Sequence, residues 1–333
     1  MPNKTHATKT AYNLYPDLKH LPKIKAVINP HLLPFINFFM KIAFRLKSDK
    51  FVNVKKYKIA TFQNGKIDVF VIEPKNQVVP STTNDENYKN LQNQKTPALV
   101  IFHGGAFCLR ASNAHYKIAK EYARRLCCKV IYADYRLLPK YPFPCALKDC
   151  FETYKWTRKN SEFLQIDSEK IIIAGDSAGG NLAIGVTLHC KKEKIPLPKA
   201  TLLIYPVTDR RMQTYSMKTF SDTPVWNAKL NKKMWQMYLQ NKNACNEKLP
   251  LYLASPMENE NFEKFPKTYI EVAEIDCLRD EGIDFAEKLK ASGADVELVK
   301  VERACHGFET ATKSKIVKDA MDRRVDFCEN VFR

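Results

Sequence analysis

The chain has 333 residues, 45% of them hydrophobic and 27% charged, a globular composition with room for one large domain and an appendage. No run of about eighteen uncharged apolar residues occurs, the first thirty residues are polar and lysine-bearing, and none of the ten cysteines forms a C-x-x-C pair; neither a spanning helix nor a secretory signal is indicated, a zinc ribbon is unsupported, and buried free thiols in a cytoplasmic protein are expected. The net charge of +18 raises nucleic acid as a partner, but residues 1–58 hold twelve Lys/Arg against two Asp/Glu and no RRM, KH or zinc-finger signature accompanies them, so no nucleic-acid partner is expected.

In chain order, residues 1–50 read as helical pieces broken by Pro22, Pro30 and Pro34, with Leu33, Ile36, Phe39, Met40 and Phe44 at helical spacing. The stretch HLLPFINFFMKIAFRL at 31–46 is too short to span a bilayer and carries Lys41 and Arg45. No stable membrane insertion is expected; loose attachment to an anionic membrane face is the lesser alternative to a solvated basic surface. VNVKKYKIATFQ and KIDVFVIEP flank Asn64-Gly65, a pair that suits a type I′ turn, so a hairpin is expected there. Residues 75–96, Asn/Gln-rich and without periodicity, read as a surface loop. From Pro97 onward strands and helices alternate. Strands are expected at 98–102, 129–135, 170–174, 201–205, 268–273 and 295–301, and helices at 114–126, 145–159, 178–191, 229–240, 280–291 and 312–331. This alternation predicts an α/β fold, with a mainly parallel sheet flanked by helices and a ligand site at the carboxyl ends of its strands.

The glycines of IIIAGDSAGGNLAIG (171–185) fit neither a P-loop nor a dinucleotide fingerprint, because no Lys follows them and their spacing is Gly175, Gly179, Gly180. They do fit G-x-S-x-G between a strand and a helix, which holds Ser177 out as a nucleophile on a strained turn. A serine needs a base oriented by an acid, in the chain order Ser, acid, His. Only His189 and His306 follow Ser177. His189 lies on the helix leaving the nucleophile and reads as a surface or packing residue, whereas His306 lies in a loop after a strand and reads as the base. Asp276, just past strand 268–273, is the chosen acid with Asp280 as fallback; Asp280 and Glu281 read better as acidic residues at a helix start. IFHGGAF (101–107) follows a strand, and the N–H groups of Gly104 and Gly105, with that of Ala178, are assigned to the oxyanion hole. His103 reads as a structural residue hydrogen-bonded within that loop.

HGGAF, YRLLPKYPFPCALKDC, GDSAGGNLA, YPVTD, YLASPM, EIDCLRDEG and CHGF occur in the order seen in the hormone-sensitive-lipase-like family of α/β-hydrolases, and the chain resembles its microbial esterase branch over about residues 95–310. The resemblance implies an α/β-hydrolase catalytic domain (51–333) that hydrolyses short- to medium-chain acyl esters, a small-molecule substrate class, through an acyl-enzyme without metal or cofactor. It implies a helical cap from residues 1–50, with a second contribution from about 207–240, where Trp226, Met234, Trp235 and Tyr238 would line an acyl pocket with Phe107, and it allows a homodimer. Two departures, Leu138-Pro139 for the family's frequent Ala-Pro and Cys277 for its Pro after the acid, bear on packing alone.

Three rivals stand beside this reading. An amidase, or a deacetylase of a small metabolite or sugar, would use the same three residues. A small-molecule receptor with a broken triad is disfavoured because Ser, Asp and His are all present. A membrane-surface lipase is suggested by the basic, partly apolar N-terminus. Because Cys108, Cys277 and Cys305 lie within three residues of candidate site positions, thiol alkylation is expected to inhibit by crowding the site.

Overall fold

The computed structural model describes residues 12–21, 28–75, 95–240 and 249–333. Its strands are β1 (Val52–Ala60), β2 (Lys66–Pro74), β3 (Thr96–Phe102), β4 (Lys129–Asp134), β5 (Ile166–Asp176), β6 (Ala200–Ile204), β7 (Lys267–Ile275) and β8 (Val296–Cys305). They form one sheet in the order β1-β2-β4-β3-β5-β6-β7-β8. Only β2 runs antiparallel to its neighbours; the pairings from β4 through β8 are all parallel. The helices are α1 (Leu33–Ala43), α2 (Asn113–Arg125), α3 (Cys145–Lys159), α4 (Ala178–Lys192), α5 (Tyr215–Thr219), α6 (Ala228–Leu239), α7 (Arg279–Ala291) and α8 (Lys315–Phe332).

The period of two in a strand splits each apolar run between two cores. Ala98, Val100 and Phe102 of β3 face one core with Ile171 and Ile173 of β5, while Leu99 and Ile101 face the other with Ile172 and Ala174. A strand buried on both faces needs apolar residues at every position, which is why these runs lack polar alternation. Helices α3 and α4 cover the first face and α2 and α8 the second. Phe102 pairs with Gly175, and Gly175 with Leu203, so β3, β5 and β6 end at one level and their following loops share an edge.

At the β1–β2 hairpin the left-handed residues are Gln63 (φ 56°) and Asn64 (φ 54°), with the Gly65 N–H donating to Phe62 O at 3.2 Å. The turn therefore sits one residue earlier than Asn64-Gly65. A Cβ at Gly65 would lie 2.7 Å from the Arg136 guanidinium, so a side chain there would push that arm aside. The long loop expected at 75–96 falls, but for its ends, outside the described residues.

In α1, Leu33 is buried and Ile36 and Met40 are half-buried, but Phe39 points away at 65% exposure. Although at helical spacing with Leu33, Ile36 and Met40, it belongs to an outer stripe with Phe35, Phe38 and Ile42. The stretch before α1 has a different neighbour. Leu14 and Leu18 pack into the second core, Tyr15 N–H donates to Arg303 O at 2.8 Å, and Ser314, the residue before α8, donates to Asp17 at 2.6 Å.

Candidate active site

Strand β5 ends at Asp176 and α4 starts at Ala178, leaving Ser177 alone in the corner at φ 54°, ψ −119°. A side chain in this region costs of the order of 1–3 kcal/mol and persists only where its surroundings impose it. Here they do: Ser177 N–H donates to Ile204 O at 2.8 Å, and Ser177 O accepts from Asn181 and Val207 N–H groups at 3.1 and 3.2 Å. The flanking glycines are steric necessities. A Cβ on Gly179 would sit 1.9 Å from Phe102 O, and one on Gly175 would sit 2.2 Å from Gly179 O.

At the same edge, Asp276 follows β7 and His306 follows β8. His306 Nε2 lies 2.9 Å from Ser177 Oγ, and its Nδ1 lies 2.7 Å from Asp276 Oδ2. The second Asp276 oxygen accepts from Leu278 N–H at 3.0 Å. Asp276 is fully buried and the other two are nearly so. With the carboxylate accepting from Nδ1–H, the Nε2 lone pair faces the serine hydroxyl, the arrangement a general base needs. The His306 ring lies against Tyr205 at 4.4 Å between centroids and beside Trp226 at 6.1 Å. Asp280 is engaged elsewhere, accepting from Ser216 N–H and Arg279 Nε at 2.7 Å each. Glu281 is buried and accepts from Thr208 N–H at 2.7 Å; burial pushes its pKa well above the usual carboxylate range, against those backbone bonds. His189 is buried against the Phe151 ring at 4.3 Å.

The oxyanion assignment needs one correction. Gly104 N–H donates to Asp176 Oδ1 at 2.9 Å, so it points into the protein and cannot meet a substrate oxygen. Gly104 is instead the point of closest approach between the loop and β5, where a Cβ would lie 2.2 Å from Asp176 Oδ2. Beyond it the chain turns through positive φ at Gly105 (112°), Ala106 (57°) and Phe107 (58°). Among the described residues, the N–H groups of Gly105, Ala106 and Ala178 donate to nothing. His103 is buried with Nδ1 2.6 Å from Gly104 O. Burial, helped by nearby His115, pulls its pKa down to about 3, so it stays neutral and structural.

Ser177, His306, Gly105 and Ala106 open onto a cavity of about 180 Å³ whose walls include Ile118, Leu202, Trp226 and Leu230. Of the four aromatic residues expected to line a pocket, only Trp226 does. Phe107 stacks on Tyr238 at 3.8 Å and 3°, and Trp235 packs beside Tyr238 at 6.1 Å; all three are core residues, as is Met234. The left-handed turn at Phe107 swings its ring off the substrate side and into the interior, and α6 buries its aromatic face to meet it.

A family model described as alpha/beta hydrolase fold matches residues 99–310. The chain belongs to that family. This α/β-hydrolase is 31% identical over 238 residues to Lipase 2 of Moraxella sp. (strain TA144), covering 63% of this chain and 54% of that one. It is 30% identical over 214 residues to the esterase LipI of Mycobacterium tuberculosis, covering 64% of this chain and 66% of LipI. It thus spans between about half and two thirds of the length of these curated relatives. Among solved structures, a bacterial heroin esterase superposes with a TM-score of 0.82 at 26% identity, over 96% of this chain and 98% of that one. The esterase LipW of Mycobacterium marinum does so with a TM-score of 0.81 at 26% identity, over 96% of each. These relatives agree with the hormone-sensitive-lipase-like resemblance.

The same cavity of the hydrolase is lined by polar groups that the motifs do not contain or that the motifs leave without a role, among them His115, Asp176, Glu309 and Arg324. His115 Nε2 lies 3.3 Å from Asp176 Oδ2, and its Nδ1 accepts from Ser112 N–H at 3.0 Å. Burial opposes charge on both partners, but their mutual attraction outweighs it: His115 is held above its ordinary pKa and Asp176 below its own. Arg324 of α8 is buried between Glu271 of β7 and Glu309, at 2.5 and 2.6 Å. Glu309, three residues beyond His306, also accepts from the Tyr205 hydroxyl. The signals were present: an acid beside the serine, a histidine in the first turn of the helix after β3 and an acid after the base. None could be paired without the fold.

The three cysteines near the site are buried. Burial pushes the Cys108 and Cys305 thiols up to about 12 and Cys277 well above its ordinary value. With no thiolate and no access they do not meet an alkylating reagent in the folded state, so the expected inhibition by alkylation is withdrawn.

Proposed function

We propose that this chain is a serine carboxylesterase that cleaves short- to medium-chain acyl esters through an acyl-enzyme. The observation that carries the reading is the Ser177–His306–Asp276 chain of hydrogen bonds, 2.9 and 2.7 Å, opening onto one largely apolar cavity. His306 takes the Ser177 proton as Oγ attacks the ester carbonyl. Asp276 holds the imidazole in that tautomer and stabilises the imidazolium that forms. The developing oxyanion is met by the N–H groups of Gly105, Ala106 and Ala178, the first two replacing the Gly104–Gly105 pair read from the sequence. Donors already turned toward the charge need no reorganisation as it forms. His306 then gives its proton to the leaving alcohol, and a water repeats the cycle to release the acid. The names of the relatives, a lipase and esterases, support the ester bond as the one cleaved.

The cavity, about 180 Å³ with apolar walls around a few polar groups, suits a small acyl group. Ile28, from the 1–50 segment, and Val225, Trp226 and Leu230, from 207–240, line it, which supports the reading of these two segments as the cap. The nine cysteines among the described residues are free and eight of them are buried, which suits a reducing cytoplasmic setting. The test is a p-nitrophenyl ester series from acetate to palmitate. Turnover should peak at short or medium chains and fall roughly tenfold or more at palmitate, and Ser177→Ala should lower it by about a millionfold. A flat series would remove the chain-length reading; wild-type turnover in the variant would remove the mechanism.

A further inference from the structure

Helix α1 wears its apolar face outward. Phe35, Phe38, Phe39 and Ile42 follow one another at i, i+3, i+4 and i+7 and are 52–67% exposed, and Leu32 just before the helix is 50% exposed. That spacing places them on one stripe of the cylinder. The opposite stripe is already used: Leu33 is buried, and the Asn37 amide is clamped to the loop beyond the oxyanion turn, donating to Cys108 O at 2.7 Å and accepting from Arg110 N–H at 3.0 Å. The helix is therefore fixed on the protein with a hydrophobic face that nothing in the described structure covers. A stripe of this kind marks an interaction site.

Charge says what meets it. Lys41 of α1 and Arg45, Lys47 and Lys50 of the segment that follows it are exposed, and residues 1–58 carry twelve basic against two acidic side chains. A second copy meeting this face across a two-fold axis would set the same cations against one another. An anionic lipid surface satisfies both features, since the aromatic side chains enter the boundary between headgroups and acyl chains while the cations meet the phosphates. At 11 residues, α1 is about 16 Å long, and among the described residues no helix is long and apolar enough to cross a membrane. It can lie on a bilayer but not span it.

We infer that the outer face of α1 docks the enzyme on an anionic bilayer surface, with the catalytic cavity opening beside the contact. Leu109, in the loop that Asn37 holds, and Ile28, shortly before α1, both line that cavity. An amphiphilic ester dissolved in the surface thus reaches Ser177 across a short apolar path. The docking rests on the exposed face alone; its use in delivering substrate rests on the esterase reading above.

The experiment is sedimentation of the full chain with vesicles of phosphatidylcholine, or of phosphatidylcholine mixed with an equal part of phosphatidylserine. Wild type should bind the mixed vesicles roughly tenfold or more tightly than the neutral ones, and the preference should weaken as salt is raised. The variant Phe35→Ser/Phe38→Ser/Phe39→Ser should lose at least about tenfold in binding while hydrolysing water-soluble p-nitrophenyl acetate like wild type, which also reports that it is folded. Reversing the charges at Lys41, Arg45 and Lys47 to Glu should abolish the anionic preference. Absent binding to the mixed vesicles at low salt, or binding unchanged in the triple Ser variant, overturns the proposal. So does a concentration-dependent dimer that this variant dissolves without any vesicle binding, which would assign the face to a second copy. Vesicle binding without ester hydrolysis would leave the docking in place and sink the esterase reading instead.

Discussion

Asp176 spends its two carboxylate oxygens on different partners, one on the Gly104 N–H at 2.9 Å and the other on His115 at 3.3 Å. The first bond fixes the start of the oxyanion turn. Asp176→Ala should therefore lower kcat by roughly tenfold to a hundredfold with little change in KM, because the donors it aligns act on charge that exists only in the transition state. Asp176→Asn keeps an acceptor for Gly104 and should recover most of the loss, which a purely structural role for the charge would not allow. The second bond has a pH signature. His115, held above its ordinary value of 6.5, contributes stability in full below that value, and loses it as pH rises through its folded pKa. Asp176, held below 3.8, contributes above that value and loses it as pH falls through its folded pKa. Both groups are charged between these limits, so a denaturant-monitored cycle of His115→Gln and Asp176→Asn should give a larger coupling near about pH 5.5 than near about pH 9. The Ser, Asp and His positions could be read from the chain because motif and order constrain side chains. The Gly104 N–H could not, since its direction is set by an acceptor 72 residues away.

At the scale of the elements, each strand end delivers one group: β5 the serine, β7 the aspartate, β8 the histidine. The alternation of strands and helices from Pro97 onward was legible because apolar runs, glycine turns and helical stripes are local signals. The misplaced features all depended on a partner elsewhere. Phe107 turns inward because Tyr238 of α6 stacks on it, and Phe39 turns outward because Asn37 is the residue that grips the 108–110 loop. Arg324 is the clearest case, a cation in an amphipathic helix that reads as solvated and is 2% exposed. It holds Glu271 of β7 and Glu309 of the histidine loop together. Arg324→Met leaves two carboxylates without their cation in the interior and should cost about 3–5 kcal/mol of unfolding free energy. The denaturation midpoint measures this. Because Glu309 also anchors Tyr205, which packs on His306, kcat should fall as well, whereas a midpoint within error of wild type would mean that the two acids are paired by something else.

For the whole molecule, one sheet carries the candidate site on its carboxyl edge, and Ile28, shortly before α1, with Val225, Trp226 and Leu230 of the segment from Val207 to Gln240, line the cavity there. The basic charge that could have meant nucleic acid is concentrated in the N-terminal region, which also carries the exposed aromatic stripe of α1. Everything proposed about activity passes through a single oxygen atom, Ser177 Oγ. The direct measurement is covalent trapping with a diethyl phosphoryl ester such as paraoxon, followed by intact-mass analysis and peptide mapping. The account predicts one phosphoryl adduct per chain, on the peptide containing Ser177, with esterase activity lost in proportion to its occupancy and no adduct on Ser177→Ala. An adduct on another residue that accounts for the lost activity, or a Ser177→Ala chain that is still labelled and still turns over ester, would contradict it.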